Sequence, residues 1–367
     1  MITVTKPFLP PLEDLRPYLE RIWDTQILSN NGPLHQELER SLEKILGVQH
    51  VSLFCNATVA LIVAQQALGI SGEVITTPYS FVATSHSLHW MGNKPVFADI
   101  DPASLTLDPA QVEKAITADT QAIMPLHCYG NTCDVEALQL IADKHGLSII
   151  YDACHSFGVE DAGGSVLRHG DLSVVSFHAT KVFNTFEGGL LVCHTAEMKE
   201  KVDNLKNFGF LDETVVVEAG INGKMSEFNA AVGLAQLPYL SSILAAREQI
   251  DHLYRERLEG IAGLTCFPVV RQTKKNFAYF PVFVEEGFPI ERDSLYQKLR
   301  DKGVYPRRYF YPLISDFDMY RDIPSAAAEK LPMARMRSKQ VICLPLYPDL
   351  SHDDVHQICD IIGGSVA

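Results

Sequence analysis

The chain has 367 residues and a formal net charge of −14, with 47% hydrophobic and 21% charged residues. That balance excludes a disordered chain. The excess acidity argues against a broad nucleic-acid or anionic-membrane surface but leaves room for a local basic pocket for a phosphate. The length predicts two domains that share a large core. Met1 to Leu15 lack a basic start followed by an apolar run, and the longest apolar stretches fall short of a membrane span. The expectation is a cytoplasmic protein with neither nucleic acid nor membrane as partner. Eight cysteines are scattered, mostly in apolar strand-like segments, as in a reduced enzyme rather than a disulfide framework. Cys128 and Cys133 beside His127 invite a zinc reading, but no second ligand pair follows at metal-site spacing, so no metal site is expected.

In chain order, apolar runs rich in β-branched residues predict strands at Val51–Phe54, Glu73–Thr76, Lys94–Phe97, Gln121–Pro125, Leu147–Tyr151, Leu172–Phe177 and Gly189–Cys193. Helix-like stretches at Thr58–Gly69, Pro109–Ile116 and Asp134–His145 separate several of them. Strands alternating with helices imply βαβ crossovers, and the lack of polar alternation fits a largely parallel sheet covered on both faces. Met225–Ile261 reads as long helices with a break at Pro238. Beyond Gly263 come a strand at Phe277–Val284, a helix at Arg292–Lys302, a Pro- and Tyr-rich loop at Tyr305–Pro312 and a last helix from about Asp353. The fold class is α/β: a mainly parallel sheet sandwiched by helices in residues 1–250, and a smaller α+β domain in 251–367.

Ser176 to Lys181, Ser-Phe-His-Ala-Thr-Lys, leaves a predicted strand where α/β proteins place ligands. A lysine there can form an imine with an aldehyde cofactor and carry a proton once displaced. Taken alone, Lys181 would be read as a surface lysine. Asp152 ends an apolar strand, a costly place for an acid without a cationic or hydrogen-bonding partner. A protonated pyridine nitrogen is such a partner, and a helix cap is the plain alternative. Asn56-Ala57-Thr58 opens an apolar helix, where free amides and a hydroxyl form a phosphate site, although an isolated case is better read as a simple Thr58 cap. Ser176 can add a second hydroxyl. Phe81 suits stacking on an aromatic ring, or is a core residue.

Together these segments resemble the DegT/StrS family of nucleotide-sugar aminotransferases, pyridoxal 5′-phosphate (PLP) enzymes of fold type I. The resemblance covers nearly the whole chain through Asn31-Gly32-Pro33, Asn56-Ala57-Thr58, Pro78–Thr84, Pro95-Val96-Phe97 with Asp99-Ile100-Asp101, Asp152–Gly158, Ser176–Lys181, Glu187-Gly188-Gly189 and Asn222–Ala231. It implies that Lys181 carries PLP and Asp152 binds the pyridine nitrogen. By the same token His155 lies near the ring hydroxyl, Ala57, Thr58 and Ser176 hold the phosphate, and Phe81 stacks on the ring. Cys154 replaces a more usual alanine and Ala57 a frequent glycine, and neither change removes a required group. Related dehydratases have histidine in place of the lysine, so Lys181 favours amino transfer.

Thr5–Pro11, Asn30–Pro33, Phe177–Asn184 and Arg307–Pro312 look closest to the members that aminate a dTDP-linked sugar. That similarity implies dTDP-4-oxo-6-deoxy-D-glucose as acceptor, L-glutamate as donor, and a place in O-antigen and lipopolysaccharide synthesis. Amination at C3, or in the other orientation at C4, is the alternative. The diphosphate needs basic residues in an acidic chain, for which Lys224, Arg307 and Arg308 are candidates, with Tyr309 in the loop that closes the cleft.

The resemblance also implies a homodimer with shared sites. Gly220 and Gly223 bracket a polar loop before a helix whose Phe228, Val232, Leu234 and Leu237 offer more apolar surface than one small domain needs. In the family this loop crosses the interface and its asparagine, Asn222 here, reaches the neighbour's phosphate. Two competing readings remain: a non-catalytic regulator that keeps the fold, and a PLP enzyme of another reaction type such as an aldolase or dehydratase.

Overall fold

A computed structural model describes residues 1–268 and 270–365. Two helices come first, α1 (Leu12–Thr25) and α2 (Pro33–Leu46). The large sheet then forms from β1 (Val51–Phe54), β2 (Glu73–Thr76), β3 (Lys94–Phe97), β4 (Thr120–Met124), β5 (Ser148–Asp152), β6 (Leu172–Ser176) and β7 (Gly189–Cys193). Their order across the sheet is β1-β7-β6-β5-β4-β2-β3. Pairs among β2 to β6 are parallel, whereas β7 runs antiparallel to both β6 and β1. The loop 177–188 contains no helix that could carry the chain back for a parallel return, which is why β7 reverses.

Helices cover both faces, so β1, β6 and β7 are buried at every position and need no polar alternation. On one side α3 (Ala57–Ala67) packs Ala60, Leu61 and Ala64 over Val74, Val174 and Leu191. On the other, α2 and α8 (Glu227–Gln236) enclose Leu38, Leu42, Phe177, Phe183 and Ala231. The chain also forms α4 (Ala83–Trp90) between β2 and β3, α5 (Pro109–Ala115) between β3 and β4, and α6 (Val135–His145) between β4 and β5, and α7 (Ala196–Leu205) follows β7. Pro95 sits in β3, an edge strand where its missing N–H costs no ladder bond.

The chain breaks at Pro238 as expected: α8 ends at Gln236 and α9 (Leu240–Leu258) begins after a single 3₁₀ turn. A second sheet contains β8 (Leu264–Cys266), β9 (Phe280–Val284) and β10 (Val341–Leu344), all antiparallel. With α10 (Arg292–Asp301), α11 (Pro332–Gln340) and α12 (His352–Gly363), it builds a separate core from Tyr254, Phe280, Leu299, Ile342 and Ile358. Ile2 belongs to that core, because Ile2–Thr3 pairs in parallel with Val304–Tyr305.

Three sequence expectations need correction. No element was expected before Val51, yet α2 buries Leu34, Leu38, Leu42 and Leu46 at four-residue spacing behind Pro33 at its first turn. The strand expected from Phe277 starts only at Phe280, because Phe277 has φ +51. The apolar face of α8 is mostly internal: Val232 and Leu234 are core residues, and Phe228 is exposed.

Candidate active site

The carboxyl ends of β5 and β6 open into a cavity of about 270 Å³, the position an open α/β sheet favours for a ligand. Lys181, Asp152, His155, Ser176, Ala57, Thr58, Phe81 and Tyr309 all line it.

Asp152 is the last residue of β5 and is 4% exposed. Its Oδ2 accepts a hydrogen bond from Thr84 Oγ1 at 2.7 Å and its Oδ1 accepts one from the Cys154 amide at 3.1 Å. Because the Thr84 proton goes to Asp152, Ser80 Oγ is the donor in the 2.6 Å Ser80–Thr84 contact. A buried carboxylate with two neutral donors is under-compensated, and it faces a cavity where a cationic group would restore the balance.

Lys181 lies in the loop after β6, and its Nζ donates to Tyr279 Oη at 3.2 Å. Burial alone would lower its pKa, but the net direction is upward. Tyr279, by its proximity and its hydrogen bond, then Cys154 and the Asp152 carboxylate outweigh burial there, while burial itself pushes the Cys154 thiol well up and the Tyr279 phenol up. His155 is buried, and its Nδ1 accepts from the Tyr129 amide at 3.1 Å. Burial and the Lys181 charge hold it well below its ordinary pKa, leaving a neutral ring that carries its proton on Nε2.

At the opposite end, Asn56 caps α3 by accepting from the Val59 amide at 2.9 Å. The helix therefore starts at Ala57 rather than Thr58, and Asn56, not Thr58, is the cap. The first-turn amides of Ala57 and Thr58 remain for an anion. Gly189 permits this close approach, since a Cβ there would lie 2.7 Å from the Ala57 nitrogen. Ser176 Oγ accepts from the His178 amide at 3.3 Å and keeps its own proton to donate. Phe81 is 59% exposed at the open side, which rules out the plain core reading.

Other predicted residues stand apart from this cavity. Asn222 is exposed and pairs through its backbone with Asn207. Lys224 Nζ donates to Asn207 Oδ1 at 2.7 Å and lies 4.8 Å from the Phe208 ring centroid. Arg308 donates to Asp293 at 2.7 Å, with its guanidinium 4.5 Å from the Tyr296 ring centroid and 5.0 Å from that of Tyr311. Arg307 is exposed and its backbone pairs with Cys343. His127 and Cys133 secure the turn after β4: His127 Nδ1 accepts from the Cys133 amide at 3.1 Å, and Cys133 Sγ donates to the Leu126 carbonyl at 3.2 Å. Burial lowers His127 to about 3. Among the described residues no group of three His, Cys, Asp or Glu is placed to hold a metal. A more open depression of about 1380 Å³ lies at the β3 edge near Tyr320 and Lys330, away from Lys181.

Several wall residues carry no functional signal in the sequence. Tyr279 reads as an ordinary strand tyrosine, and Phe310 as part of an aromatic loop. Tyr129 donates to the Tyr309 carbonyl, so Tyr79 donates to Tyr129 at 2.8 Å, and the pair fastens the 309–310 wall to the sheet.

The groups present fit PLP. They offer an under-compensated carboxylate for a ring nitrogen, a helix start with hydroxyls for a phosphate, and an amine between them for an aldehyde carbon.

Comparison with known proteins agrees with this arrangement. A family model described as the DegT/DnrJ/EryC1/StrS aminotransferase family matches residues 12–363. A dTDP-4-amino-4,6-dideoxy-D-glucose transaminase of Shigella dysenteriae is 55% identical over 361 residues, covering 98% of both chains. The Escherichia coli protein of the same name is 49% identical over 367 residues, covering 100% of this chain and 99% of that one. The crystal structure of DesI in the presence of its TDP-sugar product superposes with a TM-score of 0.94 at 36% identity, covering 98% of this chain and 91% of that one. The chain belongs to the DegT/DnrJ/EryC1/StrS aminotransferase family.

Proposed function

We propose that this aminotransferase moves the amino group of L-glutamate to C4 of dTDP-4-oxo-6-deoxy-D-glucose, giving dTDP-4-amino-4,6-dideoxy-D-glucose. The observation that carries this reading is the full-length 55% identity to the Shigella dysenteriae relative of that name. The product is an activated sugar and so a glycosyl donor, which puts the enzyme ahead of a glycosyl-transfer step, O-antigen assembly in the cytoplasm being the expectation.

PLP, the cofactor of this family, supplies an electron sink when bound. Lys181 would hold it covalently and, when free, take the proton from the donor's α-carbon and return one within the cavity. Asp152 would keep the ring nitrogen protonated, with Thr84 and the Cys154 amide orienting its carboxylate. The amides of Ala57 and Thr58, with the hydroxyls of Thr58 and Ser176, would bind the phosphate. His155 would donate from Nε2 toward the ring hydroxyl, and Phe81 would cover the ring from the open side and exclude water. Residues 1–250 would form the cofactor domain, and 251–367 the domain that supplies Tyr279 and Tyr309.

The reading includes a homodimer with shared sites. Asn222 and Lys224 lie off their own chain's cavity, and beside them Phe208, Leu211, Val216, Val217 and Ile221 are exposed, more apolar surface than a monomer usually shows. Asn222 would reach the partner's phosphate, and Lys224 the sugar nucleotide.

A panel of nucleotide 3-oxo and 4-oxo sugars with L-glutamate, followed by NMR of the product, tests the substrate. Amine at C4 in the gluco configuration is expected. Amine at C3, or the epimer at C4, would replace the substrate while keeping the reaction class. A protein that binds PLP but turns over none of the panel would favour the regulator reading.

A further inference from the structure

Tyr279 comes from the C-terminal half, yet it is the hydrogen-bond partner of Lys181 Nζ, at 3.2 Å, with the nitrogen 5.8 Å from its ring centroid. Its placement is over-determined. The ring sits 4.7 Å from that of His155, 5.6 Å from Tyr129 and 5.9 Å from Tyr309, centroid to centroid. The backbone before it is pinned as well. Buried Asn276 donates to the carbonyls of His155 at 2.9 Å and Phe157 at 3.0 Å, and accepts from the Ala278 amide at 3.1 Å. Arg247 donates to the Phe277 carbonyl at 3.1 Å. Phe277 itself has φ +51, a left-handed conformation that a non-glycine residue keeps only where its surroundings impose it. These contacts aim one hydroxyl at one amine.

We infer that Tyr279 is the positioning residue of Lys181, its phenolic oxygen holding Nζ in the cavity when the amine is free of the cofactor. This rests on the reading of Lys181 as the cofactor lysine. The phenol serves both states of the amine without moving. Its oxygen accepts from the ammonium, and its O–H donates to the neutral amine. Burial raises the phenol's own pKa, so it remains protonated and loses no proton to the lysine. The other titratable groups lining the cavity with Nζ are Asp152, Cys154, His155, His178, Glu187 and Tyr309; of the two carboxylates, Glu187 lies 3.7 Å from His178 and Asp152 is the one that acts on the lysine. Without Tyr279, Nζ would keep the long-range attraction of Asp152 and lose its near partner.

Tyr279→Phe tests this, because it keeps the ring and removes the oxygen. In the cofactor-free protein, acylation of Lys181 followed against pH by peptide mass spectrometry should show its midpoint lowered by about one pH unit, the effect of losing one hydrogen bond to a charged group. In the loaded enzyme, kcat should fall about 10- to 100-fold, a typical range for a lost proton-transfer contribution, while KM for the sugar nucleotide stays within about twofold and the melting temperature is unchanged. Should the Phe variant melt early, 3-fluorotyrosine at position 279 keeps the shape and weakens the acceptor, and the midpoint should still move down. Unchanged titration and unchanged kcat overturn the inference if borohydride reduction still marks Lys181. A mark on another lysine overturns the reading of Lys181 itself.

Discussion

The two walls of the cavity are built differently. The wall from the seven-stranded sheet presents polar groups fixed by backbone: Asp152 at a strand end, Ser176 at another, and the amides of Ala57 and Thr58 at a helix start. The wall from the C-terminal half presents Tyr279, Tyr309 and Phe310, held by ring packing and by hydrogen bonds from Asn276 and Tyr129. The first wall carries charge and anion-binding geometry. The second supplies shape and a single hydroxyl directed at the lysine. Loss of a group should accordingly cost most on the sheet side and be graded on the other.

Lys181→Ala is the most severe break. It should remove the covalent attachment of PLP and abolish turnover, leaving the visible absorbance of the purified protein at that of loosely held cofactor. Residual turnover near wild type would show that another amine does the work. Asp152→Asn keeps the shape of the sheet wall and removes its charge. Turnover should fall by about two to four orders of magnitude, with the fold intact by circular dichroism. A rate near wild type would mean that another group holds the ring nitrogen.

The two walls also differ in how far sequence exposes them. Asp152, Ser176, Lys181 and Asn56-Ala57-Thr58 are legible because a polar residue ending an apolar strand, or opening an apolar helix, departs from the local pattern. The seven strands are legible for the related reason that continuous apolar runs need cover on both faces. Tyr279 departs from nothing: tyrosine is common in strands, and its contact with Lys181 spans 98 positions. Thr84 is similarly hidden, since its bond to Asp152 depends on how α4 packs beside β5. Arg308 shows the converse, a conspicuous cation whose partners, Asp293 and two tyrosine rings, occupy it elsewhere. Leu34, Leu38, Leu42 and Leu46 carried a readable helical period, and α2 was legible in principle.

A third break concerns stability on the sheet side. Glu39 of α2 is buried, which by itself raises its pKa. The His35 hydrogen bond and the ammonium groups of Lys206 and Lys199 bring it down from 4.5 to about 2. Its folded pKa lies below the unfolded one, so its contribution is complete above about 4.5 and is lost as pH falls toward 2. A change of that size corresponds to roughly 3 kcal/mol. Thermal melts of Glu39→Gln should show a loss of this order at neutral pH, and a flatter decline than wild type between those two values. Parallel declines would place the acid sensitivity elsewhere.

The smallest effect separates the two arginines beside the C-terminal wall. Arg308 is engaged with Asp293, a pair at the surface whose side chains are 31% and 56% exposed. Such a pair contributes at most about 1 kcal/mol, and the stacking on Tyr296 and Tyr311 adds a comparable amount. Arg308→Gln should therefore lower the melting temperature slightly and raise KM for the sugar nucleotide and for L-glutamate equally, if at all, because its charge is already committed. Arg307 is exposed and, among the described residues, pairs through its backbone alone, which makes its side chain the better candidate of the two for a diphosphate contact. Arg307→Gln should raise KM for the sugar nucleotide by up to about tenfold, the loss of one charge-assisted contact, with KM for glutamate unchanged. The comparison is internal, since the two changes remove the same charge from neighbouring positions. A sugar-specific rise in Arg308→Gln with none in Arg307→Gln would exchange their roles and require the Asp293 pair to open when substrate binds.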